Sequence, residues 1–455
     1  MRRTFFLDGH GCAKNQVDAE NMIALLTENG WSSVDDSQDA DVIIVNSCGF
    51  IESAKRESLE AVLSFKQVYP DKKVLLAGCL AQRYGAELAS ELLEADALVG
   101  NTDGAFLLPG MEAALASTHG ALVSPADPTG AREFSFYRYD RPLLSLPGSA
   151  YVKITEGCDN RCTFCAIPLI RGPLRSRSIP SIVEECQALL DRGIRELCLI
   201  GQDLGSYGKD GAGGTFPPGS GRLGELLTAL SRLGGTFWIR LLYIHPDNFP
   251  LSILDLCRQD PRILPYFDIP FQHASVPILR SMNRRGNSET YLELIRTIRA
   301  ALPDATLRST FLVGFPGETD LDFQALADFQ GRAQLDWLGI FTYSREEGTP
   351  AYSLKGRVAK KIAEERKRWL EDAQVPITEA RMDRFVGRTE TVLVEERVEN
   401  EEGLYLGRSA CQAPEVDGAT VISAEANLSP GSLIGAKIFS RSGFDLDAAY
   451  RDARS

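Results

Sequence analysis

Two kinds of segment alternate along most of the chain. Short continuous apolar runs read as strands buried on both faces, and longer stretches with apolar residues three and four apart read as helices packed on them. Residues 4–8 predict a first strand, Asp41-Val42-Ile43-Ile44-Val45-Asn46 a second and 73–77 a third. The first intervening helical pattern carries Val17, Met22, Ile23, Leu25 and Leu26 on one side and Gly30 where a C-cap belongs. The second carries Leu59, Val62, Leu63 and Phe65, and a third helix is expected around 81–94. Such alternation builds a parallel sheet. Residues 120–150 have weak periodicity and read as a linker. From Tyr151 the alternation resumes, with strands near 151–154, 195–200, 237–242, 266–269, 306–313 and 336–341 and helices such as 180–192, 250–259, 288–301 and 320–331. Six βα repeats predict an open, partial TIM-like barrel. The glycine-rich stretch 209–221 reads as a surface insertion, and a charged helix at about 358–384 closes this part. After Val386, runs such as Thr391-Val392-Leu393-Val394 and Leu433–Ile438, separated by glycine-rich turns, predict a small all-β barrel. The expected fold class is α/β: an N-terminal parallel α/β domain (1–130), a linker (131–150), a partial βα barrel (151–384) and a β-barrel tail (385–449).

Composition narrows the class. Of 455 residues, 44% are hydrophobic and 24% charged, which excludes wholesale disorder and fibrous repeats. No run approaches the roughly 18 apolar residues of a membrane helix. The first eight residues reach an acid, Asp8, after only three consecutive apolar positions, so no signal peptide and a cytoplasmic location are expected. The net charge of −13 argues against a general nucleic-acid binder. In a reducing compartment the ten cysteines do not build a disulfide framework, so any that cluster point to metal or redox chemistry.

Two sets cluster. Cys158-Asp159-Asn160-Arg161-Cys162-Thr163-Phe164-Cys165 puts three thiols in eight residues just after a predicted strand. Soft thiolates at this spacing suit an iron–sulfur cluster, and three ligands leave one iron of a 4Fe–4S cube open. A zinc site with a distant fourth ligand is the competing reading. Cys12, Cys48 and Cys79 each follow a predicted parallel strand in a glycine-flanked turn. Ligands of open α/β sheets collect at that edge, so the three can converge, although buried cysteines also occur as packing residues. Cys186, Cys198, Cys257 and Cys411 fall in apolar contexts and read as packing residues.

The CxxxCxxC loop, with Phe164 before its third cysteine, resembles the radical S-adenosylmethionine (SAM) superfamily. Further matches lie at Gly11–Glu20, Asn46–Ile51, Ala77–Tyr84, Lys153–Cys158, Ile167–Gly172 and Val313–Thr319. Taken over nearly the whole chain, these resemble the radical SAM methylthiotransferase family, and the tail resembles its TRAM domain. The resemblance implies two 4Fe–4S clusters, one on Cys158, Cys162 and Cys165 that cleaves SAM, and one on Cys12, Cys48 and Cys79 that carries the sulfur. It also implies SAM contacts from Gln202 and Asp203, which end a predicted strand. Arg308 is a candidate for the methionine carboxylate, with a structural ion pair as its alternative. His273 is a catalytic candidate, with an ordinary core histidine as its alternative. Arg171, Arg175 and Arg177 read first as a solvated or domain-contact face and second as a substrate contact.

One branch of the family modifies an adenosine of tRNA, and the other the β-carbon of an aspartate in ribosomal protein S-twelve. Asp268–His273, Tyr343–Thr349 and Ala413–Gly418 resemble the protein-modifying branch. Residues 386–447 carry five basic against eleven acidic residues, a net −6, which suits a basic protein partner better than RNA. The expected partners are therefore that ribosomal protein and an electron donor such as flavodoxin or ferredoxin, with no membrane and no general nucleic-acid binding; a monomer is expected. Two readings stay open beside it: the tRNA-modifying branch, and a non-catalytic electron carrier with two clusters.

Overall fold

The computed structural model describes residues 3–101, 105–116, 120–123, 137–210 and 221–450. Residues 131–136 of the expected linker, with the expected boundary at 130, and 211–220 of the expected insertion lie outside them. The chain forms two compact units. The first comprises residues 1–144, 156–177 and 344–352, and the second 145–155, 178–343 and 353–455. This division cuts across the expected segments, because the CxxxCxxC loop groups with the N-terminal sheet.

In the first unit, among the described residues, strands β1 (Thr4–Gly9), β2 (Ser32–Ser33), β3 (Val42–Ser47), β4 (Lys73–Gly78), β5 (Ala97–Val99) and β6 (Ala121–Leu122) form a parallel sheet in the order β2-β1-β3-β4-β5-β6. Every residue of β3 is buried, as its unbroken apolar run requires. Val42 and Ile44 pack with Phe5, Met22 and Trp31 on one face; Ile43 and Val45 pack with Val62, Val74 and Leu80 on the other. Helices α1 (Ala13–Glu28) and α4 (Leu107–Ala116) supply the first face, and α2 (Glu52–Val68) and α3 (Cys79–Glu91) the second. The sheet is therefore doubly wound. The strand order reverses between β1 and β3, which opens a crevice at their carboxyl ends where such sheets bind ligands.

The second unit begins with β7 (Ser149–Lys153). The two-residue strands β8 (Thr155–Glu156) and β9 (Arg175–Ser176) flank the cysteine loop and the short helix α5 (Ile167–Arg171), which belong to the first unit. Five more strands, β10 (Glu196–Ile200), β11 (Trp238–Leu241), β12 (Ile263–Asp268), β13 (Thr306–Val313) and β14 (Trp337–Thr342), follow β7 in one open parallel sheet, each beside its predecessor. Helices α6 (Ile179–Asp191), α7 (Leu223–Leu230), α8 (Ile253–Gln259), α9 (Val276–Ser281), α10 (Ser288–Ala301) and α11 (Asp320–Ala333) connect them, and α12 (Lys360–Asp383) follows. Asn287 starts α10 with a reciprocal capping box to Thr290, and Thr319 does the same for α11 with Asp322. Strands β15 (Thr389–Arg397), β16 (Leu404–Ser409), β17 (Thr420–Ala424), β18 (Leu433–Ser442) and β19 (Asp445–Tyr450) close a barrel in the order β15-β16-β17-β19-β18.

Within the second unit, buried charge joins this barrel to the open sheet. Glu196 on β10 accepts from Arg240 Nε (2.7 Å) and from Arg408 Nη1 (3.2 Å) and Nη2 (2.5 Å), all three side chains being out of solvent. The β16–β17 loop carries further contacts. The Asp417 carboxylate accepts from Arg308 Nη1 (2.6 Å) and Tyr266 Oη (2.6 Å), and Trp337 Nε1 donates to the Cys411 carbonyl (2.8 Å). Among the described residues no helix is long and apolar enough to cross a membrane.

Candidate functional site

The three N-terminal cysteines sit where the strand order places them. Cys12 follows β1 and is the N-cap of α1, Cys48 follows β3, and Cys79 opens α3 directly after β4. Burial works against the Cys12 thiolate, but Lys14, Arg171 and the backbone N–H groups of the helix N-terminus outweigh it and lower this thiol. Close turns bring the sulfurs together. Gly11 has φ +101°, and a Cβ there would lie 3.0 Å from Cys48 Cβ; a Cβ on Gly49 would lie 2.7 Å from the Cys79 carbonyl oxygen. The three thiols are near enough to feel one another's charge.

Asn15 ties the three turns into one unit. Its Nδ2 donates to the carbonyls of His10 (3.0 Å) and Ser47 (2.9 Å), and the Cys79 thiol donates to its Oδ1 (3.2 Å). Its own backbone carbonyl accepts from Asn46 Nδ2 (2.8 Å). Burial pushes the Cys79 thiol up to about 12, with Arg171 pulling the other way, and burial also raises Cys48. Thiols of this kind give up their protons when a metal centre binds.

The second trio lies in the same compact unit. Half-buried Cys158, Cys162 and Cys165 share a tight loop closed by Cys165 N–H to the Cys162 carbonyl (3.0 Å) and by Cys158 N–H to the Gly172 carbonyl (3.2 Å). Arg161, between the first two cysteines, is left-handed with φ +50°. The loop's outer side is held where Ala351 N–H donates to the Thr163 carbonyl (2.9 Å). None of the ten cysteines is in a disulfide.

Arg171, at the end of α5, keeps the domain-contact half of its expected reading and loses the solvated half. It is buried, not solvated. Its Nη1 donates to Glu156 Oε1 (2.6 Å), and its Nη2 reaches Asn15 Oδ1 (2.7 Å), Asp18 Oδ2 (3.0 Å) and Cys79 Sγ (3.3 Å). Arg177 is also buried, with its guanidinium 4.4 Å from the Tyr137 ring centre; Arg175 is half-buried. The run signalled charge, but its partners are remote in sequence and could not be read from it.

In the second unit, Gln202 and Asp203 lie just past the carboxyl end of β10. Asp203 is a structural acceptor there, taking hydrogen bonds from Gly205 N, His245 N, Ser206 Oγ and Asn248 Nδ2 at 2.6–3.0 Å. Gln202 is half-buried beside it. Arg308 is the third residue of β13, nearer the strand end opposite to where ligands of parallel sheets collect. It makes the ion pair with Asp417, which is the structural alternative weighed for it. His273 is fully buried, its Nδ1 accepting from the backbone N–H of Ala274 and Ser275 (3.0 Å each), with Nε2 4.0 Å from Glu318 Oε2. Burial holds it down at about 4, so it is neutral at physiological pH and placed as a core histidine.

Family models match at residues 4–100 (Uncharacterized protein family UPF0004), 152–329 (Radical SAM superfamily) and 386–450 (TRAM domain). The protein named ribosomal protein uS12 methylthiotransferase RimO in Treponema denticola is 47% identical over 97% of this chain and 99% of its own length. The chain belongs to the RimO family of radical SAM methylthiotransferases. RimO proteins of Pelobacter propionicus (40% identical, 96% of this chain and 95% of that protein) and Acetivibrio thermocellus (39%, 98% of each) agree. Among solved structures, the radical SAM methyltransferase TsrM from Kitasatospora setae superposes with a TM-score of 0.54 at 14% identity, covering 77% of this chain and 75% of that one, which shows the shared fold.

Membership of the RimO family and of the radical SAM superfamily implies a 4Fe–4S cluster and SAM. The donor set of the CxxxCxxC loop fits a cubane, with three thiols for three irons. The N-terminal trio offers the same three-thiol donor set from three adjoining turns, its thiols within range of one another's charge. Among the described residues no three His, Cys, Asp or Glu side chains converge on a single metal ion. Cubane ligands, each on a different iron, do not need to.

Proposed function

We propose that this enzyme inserts a methylthio group at the β-carbon of an aspartate in ribosomal protein uS12 and does so with two 4Fe–4S clusters. Cys158, Cys162 and Cys165 hold the cluster that cleaves SAM, and Cys12, Cys48 and Cys79 hold the second. The supporting observation is the convergence of three cysteines, dispersed in sequence, at the switch-point edge of the N-terminal sheet, in a chain with near full-length RimO relatives. When bound, the clusters supply the low-potential electron for SAM cleavage and the site for the transferred sulfur.

The chain's own residues do the holding. The CxxxCxxC loop offers three sulfurs and leaves the fourth iron for the methionine moiety of SAM. Asp203, with its four hydrogen bonds, fixes the turn past β10 that carries Gln202. Asn15 keeps the three N-terminal turns in register.

Surface charge supports the protein substrate. Of the five bases in the barrel tail, Arg408 is buried against Glu196 and Glu395, Arg388 pairs with Asp304, and Arg441 with Asp383 and Glu379. Glu396, Glu399, Glu401, Glu402 and Glu425 remain exposed, with Arg397 and Lys437 as the other two bases. A face of this sign attracts a basic ribosomal protein and repels tRNA phosphate.

Iron analysis of anaerobically reconstituted protein tests the assignment. About eight irons per chain are expected for two cubanes. Alanine at Cys158, Cys162 or Cys165 removes about half of them and abolishes SAM cleavage to 5′-deoxyadenosine. Alanine at Cys12, Cys48 or Cys79 removes the other half, spares SAM cleavage and stops methylthiolation. About four irons in the unaltered chain would leave the N-terminal trio without a cluster.

A further inference from the structure

Arg171 makes polar contacts beside both cysteine-bearing regions of the first unit. It lies six residues after Cys165 in sequence. Its Nη1 is anchored to Glu156, two residues ahead of Cys158, at 2.6 Å. Its Nη2 points to Cys79 Sγ at 3.3 Å and is braced by Asn15 Oδ1 and Asp18 Oδ2. Ile170 and Ala166 of the same segment pack directly with Cys79 and Phe50. A guanidinium keeps its charge at any working pH, and its planar fork presents five donors in fixed directions, where an ammonium presents three from a single point.

We propose that Arg171 is a positioning and tuning residue for the N-terminal cluster, donating a charged hydrogen bond to the Cys79 sulfur that raises the cluster's reduction potential. This rests on the reading of Cys12, Cys48 and Cys79 as cluster ligands. The reduced cluster carries one more negative charge than the oxidised one. A cation and an N–H donor at a ligand sulfur therefore stabilise the reduced form more, and hydrogen bonds to sulfur and local charge are recognised controls of cluster potential. Removing Arg171 also leaves Glu156 and Asp18 without their shared cation, which pushes the potential the same way. A raised potential lets this cluster accept an electron from a weaker donor than SAM cleavage demands.

The test uses the full chain carrying Cys158→Ala, Cys162→Ala and Cys165→Ala, so that only the N-terminal cluster can be reconstituted. Its potential is measured by a redox titration followed by electron paramagnetic resonance, alone and with R171Q or R171K. The expected result is a more negative potential with R171Q and a smaller negative shift with R171K, which keeps the charge but loses the fork. An unshifted or more positive potential in R171Q overturns the proposal. So does loss of iron from both Arg171 variants, which would make the residue scaffold only. If the triple-alanine parent itself binds no iron, the two-cluster reading fails and this inference falls with it. If the parent holds its iron and R171Q leaves the potential unchanged, the inference fails alone.

Discussion

Replacing Glu196 with Gln removes one negative charge from the most deeply buried ion network of the second unit and changes little else in size. The Glu196 carboxylate faces two guanidiniums, Arg240 and Arg408, and also accepts from Ser149 Oγ (2.9 Å). Burial by itself disfavours its charge, but the two arginines outweigh burial and hold it at about 2 against an ordinary value of 4.5. At about 1.4 kcal/mol per unit, a drop of that size corresponds to about 3 kcal/mol of folding stability at neutral pH. Removing one partner of a buried charge pair costs about 3–5 kcal/mol by direct comparison, so the two routes agree. Three of the four tryptophans, Trp238, Trp337 and Trp369, lie in this unit, so intrinsic fluorescence follows its unfolding in urea. The sign of the pH dependence is fixed by the direction of the shift. A carboxylate held below its unfolded value stabilises above that value and gives up its contribution as pH falls through the folded one. The gap between wild type and E196Q is therefore full at neutral pH, begins to close below about 4.5 and vanishes towards about 2. A variant within about 1 kcal/mol of wild type at neutral pH, or a gap that stays constant down to about pH 3, would refute the reasoning.

Asp417→Ala should leave Arg308 unpaired and loosen the β16–β17 loop from the open sheet; because the same loop accepts from Trp337 Nε1, a red-shifted emission and a loss of about 3 kcal/mol in urea unfolding are expected, and unchanged emission would count against the docking role. Gly49→Ala drives a methyl group to 2.7 Å from the Cys79 carbonyl, so iron retained after reconstitution should fall by about half with SAM cleavage preserved, whereas full iron content would mean the turn has room to move. Asn15→Ala removes a buried amide that binds all three turns; iron should leave the variant faster under a chelator than it leaves wild type, and equal release rates would contradict a positioning role for Asn15.

Much of this fold was readable where a local rule and the tertiary structure agree. The apolar run at 41–46 is β3 to within a residue, the predicted strand 306–313 is β13 as it stands, and the predicted helix 288–301 is α10, fixed by its Asn287 cap. The three N-terminal cysteines were legible because each follows a strand whose apolar run is unmistakable. Strands β2, β5 and β6 were missed, since two or three residues carry no periodicity, and α4 was missed because Pro109 and Gly110 interrupt its pattern. Arg171, Asp203 and Arg308 show what a single sequence withholds. Each has a polar partner far along the chain, 92 residues away for Arg171–Cys79, 109 for Arg308–Asp417 and 42 for Asp203–His245. The motif Ala413–Gly418 marked the branch, yet its Asp417 is a buried docking residue, so a diagnostic segment need not be one that touches the substrate.

Anaerobically reconstituted enzyme, given a low-potential reductant, SAM and sulfide, is incubated with ribosomal protein uS12 and, separately, with tRNA, and both products are read by mass spectrometry. The expected result is that one methylthio group replaces one hydrogen on an aspartate of uS12, dependent on both cysteine trios, while the tRNA is unchanged. Methylthiolated adenosine with unmodified uS12 would contradict it.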